Sequence, residues 1–328
     1  MIFQSPSRIM LVKPVVFGYN PQTSQTNVFQ SQVFLESKVV YDTAVRELES
    51  VYRMYVDEGV AVEVFESSNP LTPDAIFPNS VSTFSASMLG QKNPVAILHP
   101  MHDENRRAER SPELITFFES LGYQILDDLL KYEAGGMALE GTGSVVMDHV
   151  HKIAYCALSK RSDLKVAQVY ADMIGYRLEA FHTRDENNTP VYHTDLVMNI
   201  NTGFAELCSP VIVDDDRARI VKSLRDTGRD VIEHNMRQFN SFCGNSLEVR
   251  NQKGEKLFST STKAHKARSS KQNEIILRHV DRIIHTKLRM IERVGGGSDR
   301  CLTQELHGLD GRPAPSRKSE NFFTTFSK

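Results

Sequence analysis

The sequence predicts a mixed α/β fold in one domain, on three observations. Strand-like and helical runs alternate along the chain, several strand pairs are joined by turns too short for a parallel crossover, and no Pro- or Ser-rich linker divides the middle. At 328 residues, 40% of them apolar and 24% charged, the chain can bury a sizeable core.

The first element is a strand over Ile9 to Val16, followed by a turn-rich stretch from Gly18 to Asn27. Val39, Ala44, Leu48, Val51 and Tyr55 recur at helical spacing and predict a helix over Lys38 to Glu58, stopped by Gly59. Val60 to Phe65 reads as the next strand. Ser111 is placed to cap a second helix, with Pro112 at the tolerated first position and Gly122 past its end. Its buried stripe is Leu114, Phe117, Phe118 and Leu121. Two apolar runs, Ser144 to Met147 and Ile153 to Ala157, flank the polar Asp148 to Lys152 and predict a hairpin. Ser162 is expected to cap a helix ending near Ile174, ahead of Gly175 and a strand from Tyr176 to His182. Leu277, Val280, Ile284 and Leu288 put one apolar face on a basic, solvated helix within Lys263 to Arg293. Apolar periodicity ends near Gly308, so the domain is expected over residues 1–308, with 309–328 as a flexible or loosely docked tail.

A net charge of -2 and a pI near 6.6 supply no field for nucleic acid or an acidic membrane surface. No apolar run is long enough for a membrane span, and the polar start from Met1 to Arg8 lacks the pattern of a signal peptide, so a cytoplasmic location is expected. The four cysteines, Cys156, Cys208, Cys243 and Cys301, are too dispersed for a zinc module or a disulfide scaffold. His149 and His151 have a spacing two metal ligands can use, but no third ligand lies nearby in sequence, so a solvated turn is expected, with no metal and no cofactor. No Gly-x-Gly-x-x-Gly turn follows the first strand, which disfavours a nicotinamide-dependent dehydrogenase. Asp214 to Asp216 and Asp185 to Asn188 read as loops or helix starts.

Reactive chemistry concentrates in Gly295-Gly296-Gly297-Ser298-Asp299-Arg300-Cys301. Three glycines after a helical segment free the backbone and leave room for a ligand, and a cysteine beyond them is either a nucleophile or a structural residue behind a helix stop. A nucleophilic thiol needs a base. His193, in Tyr192-His193-Thr194-Asp195, is the candidate, with Asp195 expected on the same face of a strand. Asp74, in Asp74-Ala75-Ile76-Phe77-Pro78-Asn79, and Glu140, among Gly135, Gly136, Gly141 and Gly143, border turns; each alone also suits a cap. Together, three carboxylates match the five donors of a planar guanidinium.

In this order along the chain, these segments resemble the guanidino-group-modifying superfamily of arginine deiminases, dimethylarginine dimethylaminohydrolases and glycine amidinotransferases. The resemblance runs from about Ile9 to Leu306. It rests on Phe17-Gly18-Tyr19-Asn20, Asp74 to Asn79, Leu139 to Ser144, Leu158-Ser159-Lys160-Arg161-Ser162, His193-Thr194-Asp195 and the glycines before Cys301. It looks closest to the bacterial citrulline-utilisation hydrolases. The resemblance implies the pentein fold, a five-bladed α/β propeller of ββαβ-like units with the site at its centre. It carries the nucleophile to Cys301, acid/base work to His193 and the histidine's partner to Glu140. Asp74 and Asp195 are implied to bind the guanidinium nitrogens, Arg161 the substrate carboxylate, and Asn20 and Asn79 to line the pocket. The implied activity is C–N hydrolysis of an arginine- or citrulline-like small molecule through a covalent cysteine adduct, in a chain that could form a homodimer. Amidino transfer to an amine is the alternative. A non-catalytic binding protein on the same fold is a third reading, disfavoured by the cysteine, histidine and acids together. Where relatives continue the cysteine motif with Met-Leu-Ala-Glu, this chain has Leu302-Thr303-Gln304-Glu305.

Overall fold

The computed structural model describes residues 3–312. Its strands, in chain order, are β1 (Arg8–Lys13), β2 (Ala61–Glu66), β3 (Val81–Phe84), β4 (Val95–Leu98) and β5 (Gln124–Leu126). They continue as β6 (Val146–Asp148), β7 (Ile153–Ala157), β8 (Arg177–Phe181), β9 (Met198–Ile200) and β10 (Phe204–Leu207). The last are β11 (Asp230–Glu233), β12 (Leu247–Arg250), β13 (Lys256–Ser261), β14 (Arg282–Thr286) and β15 (Gln304–Glu305). Among the described residues these form five three-stranded sheets.

One pattern recurs in every sheet. The middle strand runs antiparallel to the first and parallel to the third: β3-β4-β5, β6-β7-β8, β9-β10-β11 and β12-β13-β14. A parallel pair needs a crossover, and helices Pro112–Ser120, Leu164–Ile174 and Asp214–Arg225, and the pair Thr262–Ala267 and Ser270–Leu277, occupy the four crossovers. The fifth sheet is β15-β1-β2, with helix Ser37–Asp57 between β1 and β2. Its first strand thus comes from the far end of the chain: Ile9 pairs with Glu305 and Met10 with Gln304. The first strands adjoin one another, β6 with β9, β9 with β12, and β15 with β3, so they form the inner ring. The sequence showed no repeat because each unit keeps only the alternation of strand and helix, filled with different side chains.

Local chemistry explains the elements and their limits. The first strand stops at Lys13 because Pro14 has no N–H for the ladder. Helix Ser37–Asp57 turns Val40, Ala44, Leu48, Val51 and Tyr55 onto Ile9, Leu11 and Val62. Complete burial of Leu48 contributes about 2 kcal/mol. Val39, predicted in that stripe, is 44% exposed, and Val40 takes its place. The Ser111 hydroxyl accepts from the Leu114 N–H, as predicted. Ser162 is not the next cap: the Asp163 carboxylate accepts from the Lys165 and Val166 N–H groups, while Ser162 binds Ser144. A carboxylate at a helix N-terminus also gains from the helix dipole.

Lys263 to Arg293 is not one helix. It divides into two short helices and β14, and Leu277 is 51% exposed. The Ser269 capping box restarts the second helix, which overrides the apparent continuous periodicity. Residues 309–312 lie against the domain: Leu309 is buried, and the Arg312 guanidinium donates to the Leu121 carbonyl at 2.6 Å. The rest of the expected tail, residues 313–328, is outside the described residues. No helix among the described residues is long and apolar enough to cross a membrane.

Candidate active site

Five chain segments, each just before the first strand of a unit, converge. They are Asp74 to Ser80 before β3, Glu140 to Ser144 before β6, His193 to Val197 before β9, Gly244 to Ser246 before β12, and Ser298 to Leu302 before β15. The first, third and fifth line a small cavity through Asp74, Phe77, Asn79, His193 and Cys301, beside Gly297, while Glu140 and Asn245 reach it through their contacts with His193 and Cys301. Arg106, Arg161 and Tyr192 line it as well.

Cys301 sits in the short helical turn Asp299–Leu302 and is 3% exposed. Its Sγ lies 3.3 Å from Asp195 Oδ2 and receives a 3.1 Å hydrogen bond from Asn245 Nδ2. Asn245 Oδ1 accepts from the backbone N–H groups of Ser298 and Cys301, both at 3.2 Å, so one amide holds the thiol and its turn together. Burial, reinforced by the Asp195 charge, pushes the Cys301 thiol well above its ordinary value. Burial likewise raises Asp195, against the lowering pull of His193 and Arg300.

His193 and Asp195 do not project from a strand as predicted. His193 is an extended residue heading the helical turn Thr194–Val197, and that turn carries Asp195 toward the thiol. His193 Nε2 is 2.8 Å from Glu140 Oε2. Its Nδ1 is buried with no hydrogen-bond partner among the described residues. A Cβ on Gly143 would stand 2.5 Å from Nδ1, so only glycine leaves this imidazole its place. Glu140 also accepts from the His102 N–H at 3.0 Å and lies 3.5 Å from Arg161 Nη1. Burial by itself would raise the Glu140 carboxyl, but Arg161 and His193, with Arg106 behind them, hold it well below the usual carboxylate range.

Asp74 has one oxygen engaged and one free. Oδ2 accepts from Asn20 Nδ2 at 2.8 Å and Thr23 Oγ1 at 2.7 Å; Oδ1 is buried without a partner among the described residues. Asn20 therefore stands behind Asp74 instead of lining the cavity, a correction to the sequence expectation. Its own Oδ1 accepts from Asn105 and Gln22, and the turn-rich segment around it folds against Asp74. Asn79 lines the cavity. Arg161 donates to Thr26 Oγ1 and the Thr23 carbonyl and lies over the Tyr192 ring at 4.8 Å.

Three contributors escaped sequence reading. Arg106 lies in a short polar helix resembling a surface turn, yet it is 2% exposed, binding Glu109 through two nitrogens and the Phe77 carbonyl at 2.6 Å. Tyr192 donates to the Gly296 carbonyl at 2.7 Å and so braces the glycine turn. Asn245 had a detectable signal: like Asn79-Ser80-Val81, Gly244-Asn245-Ser246-Leu247 sets small polar residues just before an apolar strand. The metal reading of His149 with His151 changes too. His151 Nδ1 lies 2.9 Å from Asp148, as a turn residue should, but His149 is buried against Tyr176.

Five ββαβ units with a cysteine, histidine and acids gathered at their pre-strand turns define a pentein-fold guanidino-modifying enzyme. The family model described as N,N dimethylarginine dimethylhydrolase, eukaryotic, matches residues 13–308, and the chain belongs to that family. No curated protein sequence matches it. Among solved structures, it is similar to the substrate-bound N-terminal domain of ArgZ, an arginine dihydrolase from the cyanobacterial ornithine-ammonia cycle. That match has a TM-score of 0.69 and 16% identity, over 92% of this chain and 99% of that domain. The chain spans only 41% of the longer ArgZ protein. It is also similar to AgrE with ornithine and NAD+, at a TM-score of 0.70 and 16% identity, over 93% of this chain and 40% of that one. DDAH from Pseudomonas aeruginosa, in complex with citrulline, matches at a TM-score of 0.60 and 12% identity, over 92% of this chain and 100% of that one.

Proposed function

We propose that this protein hydrolyses the guanidino group of an arginine-like amino acid through a covalent adduct on Cys301. One observation carries the reading. Asp74 Oδ1, Asp195 Oδ1 and His193 Nδ1 are all buried without a partner among the described residues, and the Cys301 thiol shares their cavity or contacts them. Such groups cost about 1–3 kcal/mol each when left unsatisfied, so a ligand is expected to satisfy them. A guanidinium supplies planar N–H donors to both carboxylates and a positive charge to the thiol. Arg106 and Arg161 suit the carboxylate of an amino acid at the other end.

In this reading the guanidinium lowers the cost of the thiolate, and the thiol proton passes to His193. Sγ attacks the central carbon, and His193 returns the proton to the departing amine, leaving a thiouronium adduct. Water then loses a proton to His193 and attacks the adduct; the ureido product and the cysteine are released. Glu140, ionised and bonded to Nε2, stabilises the imidazolium in both halves. A relative's variant is described as covalently bound to a reaction intermediate, which supports an adduct here.

The test is product mass after incubation with arginine, methylated arginines, citrulline and agmatine, with and without glycine. Amine or ammonia release from an arginine or methylarginine is expected, with agmatine about 100-fold poorer because it has no carboxylate for Arg161 and Arg106 to bind. A new guanidino compound formed with glycine would replace hydrolysis by transfer, and no product from any of them would defeat the proposal.

Asn245 acts in this scheme as a positioning residue that donates to the forming thiolate. Asn245→Ala is expected to lower kcat about 100-fold with KM nearly unchanged, and to move the pH profile of Cys301 alkylation upward. A changed KM with kcat intact would place Asn245 in substrate binding instead.

A further inference from the structure

On the inner ring of strands, apart from the catalytic cavity, lies a second, small pocket. Gln4, His149, Asn199, Glu248, Arg300 and Glu305 are among the residues that line it. His149 and Glu305, which line it, converge with His307, each offering one ligand-capable atom, all within 4.8 Å of one another. His149 comes from the hairpin turn after β6, Glu305 ends β15, and His307 follows two residues later.

The details favour a metal ion over a simple ion pair. His307 is 5% exposed, and its Nε2 is buried with no hydrogen-bond partner among the described residues. It stands 3.6 Å from Glu305 Oε1, too far for a hydrogen bond. His149 is 1% exposed, and its Nδ1 lies 3.0 Å from the Tyr176 hydroxyl, a contact that orients the ring as an outer hydrogen bond orients a metal-binding imidazole. Arg300 pairs with Glu305 Oε2 at 2.5 Å, which leaves Oε1 for one further bond.

We propose that His149, Glu305 and His307 form a structural site for a divalent transition-metal ion, with zinc the best fit. Two imidazoles and one carboxylate are a zinc donor set, and the adjoining cavity has room for water as a fourth ligand. Ligand atoms around tetrahedral zinc lie roughly 3.3 Å apart, so the widest pair closes by about 1.5 Å through side-chain rotation. Bound there, the ion ties β15, which completes the ring of units, to the turn after β6. It also fixes the segment immediately following Cys301.

The test uses the full chain carrying Cys301→Ser, so that the active-site thiol cannot compete for metal. After chelation and desalting, it is titrated with zinc and cobalt. One ion per chain is expected, with cobalt bands of nitrogen and oxygen ligands and Tm raised by roughly 5 °C in excess zinc. His307→Ala and Glu305→Gln are expected to weaken zinc at least about 100-fold. Tyr176→Phe, which keeps all three ligands, is expected to weaken it about 10-fold and serves if the others do not fold. No stoichiometric uptake, or affinity unchanged in all three variants, would overturn the site and leave the cluster an ion-pair network. Sulfur-to-cobalt charge transfer would overturn it as well, by placing the ion on another cysteine.

Discussion

Cys301→Ser is expected to lower kcat by about 10⁴-fold or more while an arginine-like substrate still binds. The substitution is nearly isosteric, and Asp74, Asp195 and His193 keep their places. What is lost is a nucleophile that can ionise when a cation arrives. Steady-state rates with calorimetric titration separate the two effects, and a rate within about tenfold of the native enzyme would exclude covalent catalysis by this residue. The resting thiol supplies a pH test. Burial and Asp195 penalise the thiolate, so the thiol stays protonated until the pH passes its raised pKa, above 9.0. Iodoacetamide alkylation of the free enzyme is therefore expected to rise about tenfold per pH unit with no plateau below that value. A plateau near neutrality would mean a preformed thiolate. Burial also pushes Cys156, Cys208 and Cys243 up to about 12, so peptide mass mapping is used to assign the label to Cys301.

His193→Ala is expected to cost about 10³-fold in kcat, because both the departure of the amine and the activation of water lose their proton carrier. The two roles can be separated by the leaving group. A thioether analogue of the substrate expels a thiol that needs little protonation, so at alkaline pH, where solvent takes the Cys301 proton in place of His193, its first step recovers in the variant while hydrolysis of the adduct does not. The intact-protein mass should then show Cys301 carrying the adduct. Turnover of this analogue at the native rate, with no adduct, would remove His193 from the hydrolytic step. Glu140, Arg161 and the His102 N–H already form a paired cluster around the vacated position, so the variant is expected to fold.

Much of the site was legible because its residues sit beside strong local signals. The glycine run marked Cys301, and the glycines around Glu140 marked a close approach, which the structure explains by the His193 ring packed on Gly143. Asn20 was misplaced because a residue that holds a ligand-binding acid and one that touches the ligand look alike in sequence. Arg106 was missed because charge in a short polar helix normally faces water, and only the buried Glu109 beside it reverses that preference. The paired histidines were read as one solvated turn, which holds for His151 on Asp148 but not for His149, whose burial against Tyr176 is not a local property.

By itself the sequence determined the alternation of strands and helices, most helix limits, the short-turn hairpins that forbid a purely parallel sheet, and Cys301 and His193 as candidate reactive groups. These follow from propensity, capping and hydrophobic period, each acting over a few residues. The tertiary structure decided the rest. It closed the first sheet with β15, brought three of the pre-strand turns to one cavity, and set Glu140 against His193 and Asn245 against Cys301. It also left Asp74, Asp195 and His193 each with one buried atom lacking a partner among the described residues. These properties come from contacts spanning tens to hundreds of residues, where burial changes the cost of charge and hydrogen bonding, and that cost turns a cysteine and a few acids into a site for a cation.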